Sequence, residues 1–241
     1  MNIEDKILEQ IKAHAAQESP KECCGVVVVR KGKQVYIPCT NISTNGPDTF
    51  SIDPDEYADA EDSGEIMRIV HSHPYASPEP SQADRVSCEQ GTVPWLIINH
   101  PLGHFVEFEP SGYRAPLIGR VFTHGSLDCY GLVYDYFTHE VGVDMLKIAR
   151  NDDWWNNGEN LYVDNFEKSG FVRVDDAPRK HDIFLMQIRS PVPNHAAIYL
   201  GDGMILHHMY QRLSSRDVYG GYWQEATVIQ IRHRSLLNDN A

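Results

Sequence analysis

The segment Glu109-Pro110-Ser111-Gly112-Tyr113-Arg114-Ala115-Pro116 interrupts an otherwise regular succession of apolar stretches. Proline locks φ and removes a donor, glycine makes order entropically costly, and serine competes for backbone hydrogen bonds. Neither a helix nor a central strand is expected to run through such a segment. In a chain of 241 residues the break leaves two parts, each long enough to bury its own core. The expectation is one domain over residues 1–112 and a second over 117–236.

Hydrophobic spacing fills in both parts. Ile3, Ile7, Ile11 and Ala15 recur every four residues, which predicts an amphipathic helix over residues 3–16. Gly25 to Val29 and Gln34 to Ile37 predict a hairpin turning at Lys31-Gly32, and Asp53-Pro54 opens a short helix. Ile66 to Val70 predicts a strand that delivers the chain to His71. A helix begins at Ser81 and ends near Gly91, and strands follow at Trp95 to Asn99 and Phe105 to Phe108. Beyond the break, helices are expected behind the cap Asp128 and over Leu161 to Lys168. Strands are then expected at 171–174, 183–188, 196–200, 204–207 and 227–232, with a polar, frayed tail after Arg232. Helices followed by an antiparallel sheet make an α+β order.

The sharpest chemical signal in the first part is His71-Ser72-His73-Pro74 followed by Ser81-Gln82-Ala83-Asp84. Two histidines one residue apart on a strand project to the same side. Asp84, in the first turn of the next helix, can bring a carboxylate to them. Two imidazoles and one carboxylate are three ligands for a catalytic Zn2+ that keeps its fourth position open. Glu22, just ahead of the Gly25–Val29 strand, is the candidate proton acceptor. Read alone, Ser81-x-x-Asp84 is also a plain helix cap with an acidic first turn, and the histidines are ordinary edge residues. Together these residues resemble the motif of the JAMM (MPN+) metallopeptidases: a Glu before a strand, H-[ST]-H-P, six residues, and S-x-x-D. The resemblance implies a curved sheet with flanking helices, zinc held by His71, His73 and Asp84, Glu22 as general base and acid, and Ser81 hydrogen-bonding the reacting carbonyl or its oxyanion. It implies cleavage of isopeptide and related amide bonds.

In the second part Cys129 follows Asp128 at a helix start, where backbone N–H groups and the helix dipole favour a thiolate. His195 opens one hairpin strand and His207 closes its partner, so His207 is placed to hold the His195 ring while His195 takes the thiol proton. Asp128-Cys129-Tyr130-Gly131-Leu132-Val133 and His195 to Gly201 resemble the D-C-x-G-[FL]-V and H-[VA]-[GA]-I-Y-L-G motifs of the NlpC family of cysteine peptidases. The resemblance implies a papain-like domain, helices packed on an antiparallel sheet, that cleaves peptidoglycan peptides with Cys129, His195 and His207. Tyr130 departs from the usual Ser of that family, and Phe122 from a Tyr ahead of the nucleophile.

The net charge of −13 is poorly suited to holding nucleic acid or an anionic membrane surface, and no partner of either kind is expected. No apolar run reaches membrane-spanning length, and Met1 to Lys6 lacks the layout of a signal peptide. Five irregularly spaced cysteines argue against a disulfide framework. A JAMM-type half joined to an NlpC-type half resembles the tail tip assembly family of lambda-like long-tailed phages. That likeness implies other tail tip proteins and peptidoglycan peptides as partners, with the host cytoplasm during assembly and the virion tail tip as locations. The competing expectation is a structural or chaperone-like tail component with inactive sites.

Overall fold

The computed structural model describes residues 2–151 and 153–238. The chain forms two compact units, Met1–Arg114 and Ala115–Ala241. Each has its own sheet, and the architecture is α+β in two domains.

The first unit opens with helix α1 (Asp5–Glu18), followed by the hairpin β1 (Cys24–Arg30) and β2 (Lys33–Cys39). Helix α2 (Pro54–Ser63), strand β3 (Glu65–Pro74), helix α3 (Gln82–Cys88), and strands β4 (Trp95–His100) and β5 (Phe105–Phe108) complete it. The sheet order is β2-β1-β3-β4-β5; β3 and β4 run parallel and every other pair antiparallel. Ile7, Ile11 and Ala15 of α1 are buried against Val27, Val70, Leu96 and Ile98 on one face. Ala60 of α2 packs with Val26 and Val28 on the other. Because side chains alternate along β3, Val70 belongs to the α1 face while Ile69, His71 and His73 lie on the opposite one. β3 runs four residues beyond its expected end and takes the whole His-Ser-His-Pro segment into the sheet, held by the parallel register His71↔Ile97 and His73↔Asn99.

In the second unit, helix α4 (Cys129–Tyr136) continues into a π-helical turn, Phe137–Val141. Helix α5 (Leu161–Asn165) follows, then β6 (Phe171–Arg173), β7 (Ile183–Met186), β8 (His195–Gly201), β9 (Met204–His207), β10 (Ser215–Val218), helix α6 (Tyr222–Ala226) and β11 (Thr227–His233). The sheet is antiparallel throughout, in the order β10-β9-β8-β7-β11-β6. Leu132, Val133 and Tyr136 of α4 share a core with Leu185, Ala196, Ile198 and Leu206. Phe184, Met186, Ala197 and Ile205 form a smaller cluster on the other face.

Two local expectations need correction. Helix α5 stops at Asn165, three residues early, where the Asn165 side chain donates back to the Leu161 carbonyl at 2.8 Å and competes with the helical ladder. The stretch after Arg232 is ordered further than expected: Arg234–Leu236 forms a 3₁₀ turn, and the Arg234 N–H donates to the Gly170 carbonyl at 2.9 Å. The last residues of that tail, 239–241, lie outside the described residues. Among the described residues no helix is long and apolar enough to cross a membrane.

Candidate functional site

In the first unit the antiparallel register of β1 and β3 pairs Cys24 with His71. Ser72 faces away from the histidines; its Oγ accepts the Cys23 N–H at 2.9 Å, and its own N–H donates to the Cys23 carbonyl at 3.1 Å. This two-way clasp carries the register one step past the strand end and sets Glu22 beside His73. The Glu22 Oε1 lies 3.9 Å from His73 Nε2, in a nearly closed environment.

His71, His73 and Asp84 converge on one point. Their candidate ligand atoms all lie within 4.8 Å of one another. The two Nε2 atoms are 3.2 Å apart, His71 Nε2 is 3.3 Å from Asp84 Oδ1, and His73 Nε2 is 3.5 Å from Asp84 Oδ2. The His71 ring is fully buried, stacked on Phe50 with 4.3 Å between centroids and edge-on to Trp95. His73 Nδ1 must donate to the Ser77 carbonyl at 2.7 Å, so the neutral ring turns its lone pair, on Nε2, into the cluster. Two imidazole nitrogens and a carboxylate, with one tautomer fixed by a carbonyl behind it, are the donor set that suits zinc and leaves a coordination position open.

The electrostatics of this cluster follow from burial. Removal from water pushes Glu22 up to about 8, partly offset by His73. Burial lowers His71 against the pull of Asp84. For Asp84 burial opposes ionisation, yet hydrogen bonding to His71 and His73 wins and holds the carboxyl well below the usual carboxylate range. Ser81 caps α3: its Oγ accepts the Asp84 N–H at 3.1 Å, which leaves its hydroxyl hydrogen available to a ligand.

In the second unit Asp128 caps α4 by accepting the Gly131 N–H at 2.8 Å, and its other oxygen accepts the Gly125 N–H at 2.9 Å. Arg150 grips the same carboxylate with two hydrogen bonds of 2.9 and 3.0 Å while lying over the Tyr130 ring, 4.7 Å from its centroid. This buried pair anchors the turn that presents Cys129. Gly131 is required here, because a Cβ at that position would collide with the Ser126 carbonyl oxygen.

His195 and His207 are brought together, with Nε2 of the first 3.2 Å from Nδ1 of the second. His207 Nε2 in turn donates to Asp217 Oδ2 at 2.9 Å, and the Trp223 ring stands edge-on to His207 at 4.4 Å. Cys129 is held differently. Its Sγ lies 3.1 Å from the Tyr162 hydroxyl and 4.0 Å from the Asn194 carbonyl; among the described residues no hydrogen bond joins it to His195. His195 lies on the face of β8 that carries Ala197, the register partner of His207, and Cys129 lies beside the start of that strand, at Asn194. The helix dipole does not prevail at this thiol either: burial first, and neighbouring Asp128 second, push it up to about 11. Burial, with His207 adding to it, pushes His195 down to about 3.

Sequence reasoning missed Tyr162, Asp217 and Arg150. Tyr162 lies in a short helix far along the chain, and Asp217 lies on the four-residue strand β10, which carries no alternating apolar signal. Phe122 packs against His208 and Tyr210, and Tyr162 supplies the aromatic hydroxyl that reaches the thiol.

Residues 4–109 match the family model for prokaryotic homologs of the JAB domain, and residues 119–232 match the NlpC/P60 family. Tail tip assembly protein K of Escherichia phage N15 is 39% identical over 241 residues, covering 99% of each chain. Tail tip assembly protein K of Escherichia phage lambda is 43% identical over 183 residues, 76% of this chain and 89% of that one. Among solved structures, a JAB1/MPN domain protein from Archaeoglobus fulgidus aligns over 46% of this chain and 88% of its own at 17% identity and a TM-score of 0.30. With likeness extending along nearly its whole length, the chain belongs to the tail tip assembly protein K family, a JAB-type domain followed by an NlpC/P60 domain.

Proposed function

We propose that the chain is a tail tip assembly protein carrying two amide-hydrolase sites, a zinc-dependent (iso)peptidase and a Cys-His peptidoglycan endopeptidase. It acts in tail assembly, in local opening of the cell wall during entry, or in both, with the host cytoplasm during assembly and the virion tail tip as its locations. The observation that carries this reading is the convergence of His71, His73 and Asp84 on one point with Glu22 at its edge. His71, His73 and Asp84 would hold zinc, which would supply a Lewis acid that polarises a carbonyl and acidifies water. Glu22, at the edge of the cluster beside His73, takes a proton from the attacking water and returns it to the leaving nitrogen. The free Ser81 hydroxyl hydrogen donates to the carbonyl oxygen as charge develops on it.

In the second unit Cys129 Sγ attacks the carbonyl carbon of a stem-peptide amide. The S–C bond forms, the C–N bond breaks, the thiol proton passes through His195 to the leaving amine, and water then releases the acyl group. His207 holds the His195 ring during both transfers.

A second reading, a structural or chaperone-like tail component, is favoured by one observation: the thiol hydrogen-bonds with Tyr162 rather than His195. Infectivity complementation with Glu22→Gln and Cys129→Ala, made separately, tests both readings, alongside cleavage of purified muropeptides. The hydrolase reading expects one zinc per chain, muropeptide cleavage abolished by Cys129→Ala, and loss of infectivity with either variant. A folded, metal-free wild type without turnover, with full infectivity from both variants, would establish the structural role.

A further inference from the structure

Strands β8, β9 and β10 carry a diagonal line of three polar side chains. The register pairs Ala197 with His207 and His207 with Ser215, so His195 and Asp217 sit two residues off on either side, all on one face. We propose that Asp217 is a positioning residue that fixes the tautomers of both imidazoles and leaves Nδ1 of His195 as the proton acceptor. Its role in catalysis rests on the peptidase reading given above; the tautomer assignment does not.

The hydrogen bonds run inward from the carboxylate of Asp217 to His207 and on to His195. A carboxylate offers lone pairs, so at 2.9 Å the hydrogen on His207 belongs to Nε2. A neutral imidazole with hydrogen on Nε2 has its lone pair on Nδ1. That atom faces His195 Nε2 at 3.2 Å, which must then be the donor. The lone pair of His195 is thereby moved to Nδ1. Burial lowers both rings from their ordinary values, so the neutral forms on which the sequence depends are the ones present at pH 7. Trp223 stands against the His207 ring and its centroid lies 6.2 Å from that of His195, so a hydrophobic wall covers the pair. Without Asp217, His207 has no acceptor at Nε2 to select between its tautomers, and the wrong one presents an N–H to His195. Asp217 is itself 40% exposed on an edge strand, where replacement leaves the core untouched.

The test uses the full chain labelled with ¹⁵N-histidine, with long-range ¹H–¹⁵N spectra reporting the tautomer of each ring. Wild type is expected to show hydrogen on Nε2 of both His195 and His207. Asp217→Ala is expected to convert both to mixtures, Asp217→Asn to give a mixture at His207, and Asp217→Glu to keep the wild-type pattern. On muropeptides, Asp217→Ala is expected to lower kcat by about 100-fold, the low end of what a positioned general base contributes, with KM unchanged and activity restored by Glu. Unchanged tautomers in a folded Asp217→Ala protein overturn the proposal. Tautomers that follow Asp217 in a wild type that cuts no muropeptide would support the assignment and defeat only the peptidase reading.

Discussion

Ser81 and Asp84 satisfy one another across the first turn of α3: Asp84 Oδ2 accepts the Ser81 N–H at 2.7 Å, and Ser81 Oγ accepts the Asp84 N–H at 3.1 Å. The same carboxylate directs Oδ1 at His71, so a helix cap and a candidate metal ligand are one side chain. The two duties separate by mutation. Ser81→Ala should retain zinc and lose about 1 kcal/mol in urea unfolding, the usual worth of a cap. Asp84→Ala should lose both zinc, by metal analysis after gel filtration, and a similar amount of stability. Retention of stoichiometric zinc by folded Asp84→Ala would remove Asp84 from the ligand set.

Gly131 is fixed by a close backbone approach. Its N–H bonds to the cap Asp128, and its missing side chain leaves room for the Ser126 carbonyl. Gly131→Ala should therefore displace the turn that presents Cys129 and cost more than about 2 kcal/mol, among the larger single-site effects. Denaturant titration measures it. A change under about 0.5 kcal/mol, typical of a neutral surface site, would mean the turn relaxes freely.

Burial raises the Cys129 thiol, and the Tyr162 hydroxyl counters by donating to the thiolate. Tyr162→Phe removes that donor, so the thiolate becomes scarcer at any fixed pH. A hydrogen bond to a charged group predicts about a tenfold slower iodoacetamide reaction at pH 9, followed at Cys129 by peptide mass mapping. An equal rate in wild type and variant would show that the hydroxyl does not act on the sulfur.

His195 gives a pH dependence of defined sign. Its folded-state value is pushed to about 3 from an ordinary 6.5, so between these limits the unfolded chain takes up a proton that the folded chain refuses. Stability contributed by the neutral buried ring is complete above pH 6.5 and is lost as pH falls through that window. Between pH 7 and pH 5 the loss attributable to this ring is about 2 kcal/mol. Urea unfolding at both values should show a correspondingly smaller decline for His195→Gln. Identical declines in the two proteins would place the proton uptake elsewhere.

Local spacing determined much of this molecule. The four-residue rhythm of Ile7, Ile11 and Ala15 reads directly as the buried face of α1, and the Pro/Gly/Ser break separates two α+β units. His-x-His on a strand places two rings on one face whatever else the chain does, because the period of a strand is two. Tertiary structure decided what meets those rings. Glu22 stands by His73 only because β1 and β3 pair in one register, and a shift of one residue would turn it to the other face. Asp217 enters through an edge strand with no apolar pattern, and Tyr162 reaches Cys129 across 33 residues of sequence. Contacts of that kind depend on how the helices and sheet of each unit pack, which the spacing of residues along a single segment does not encode.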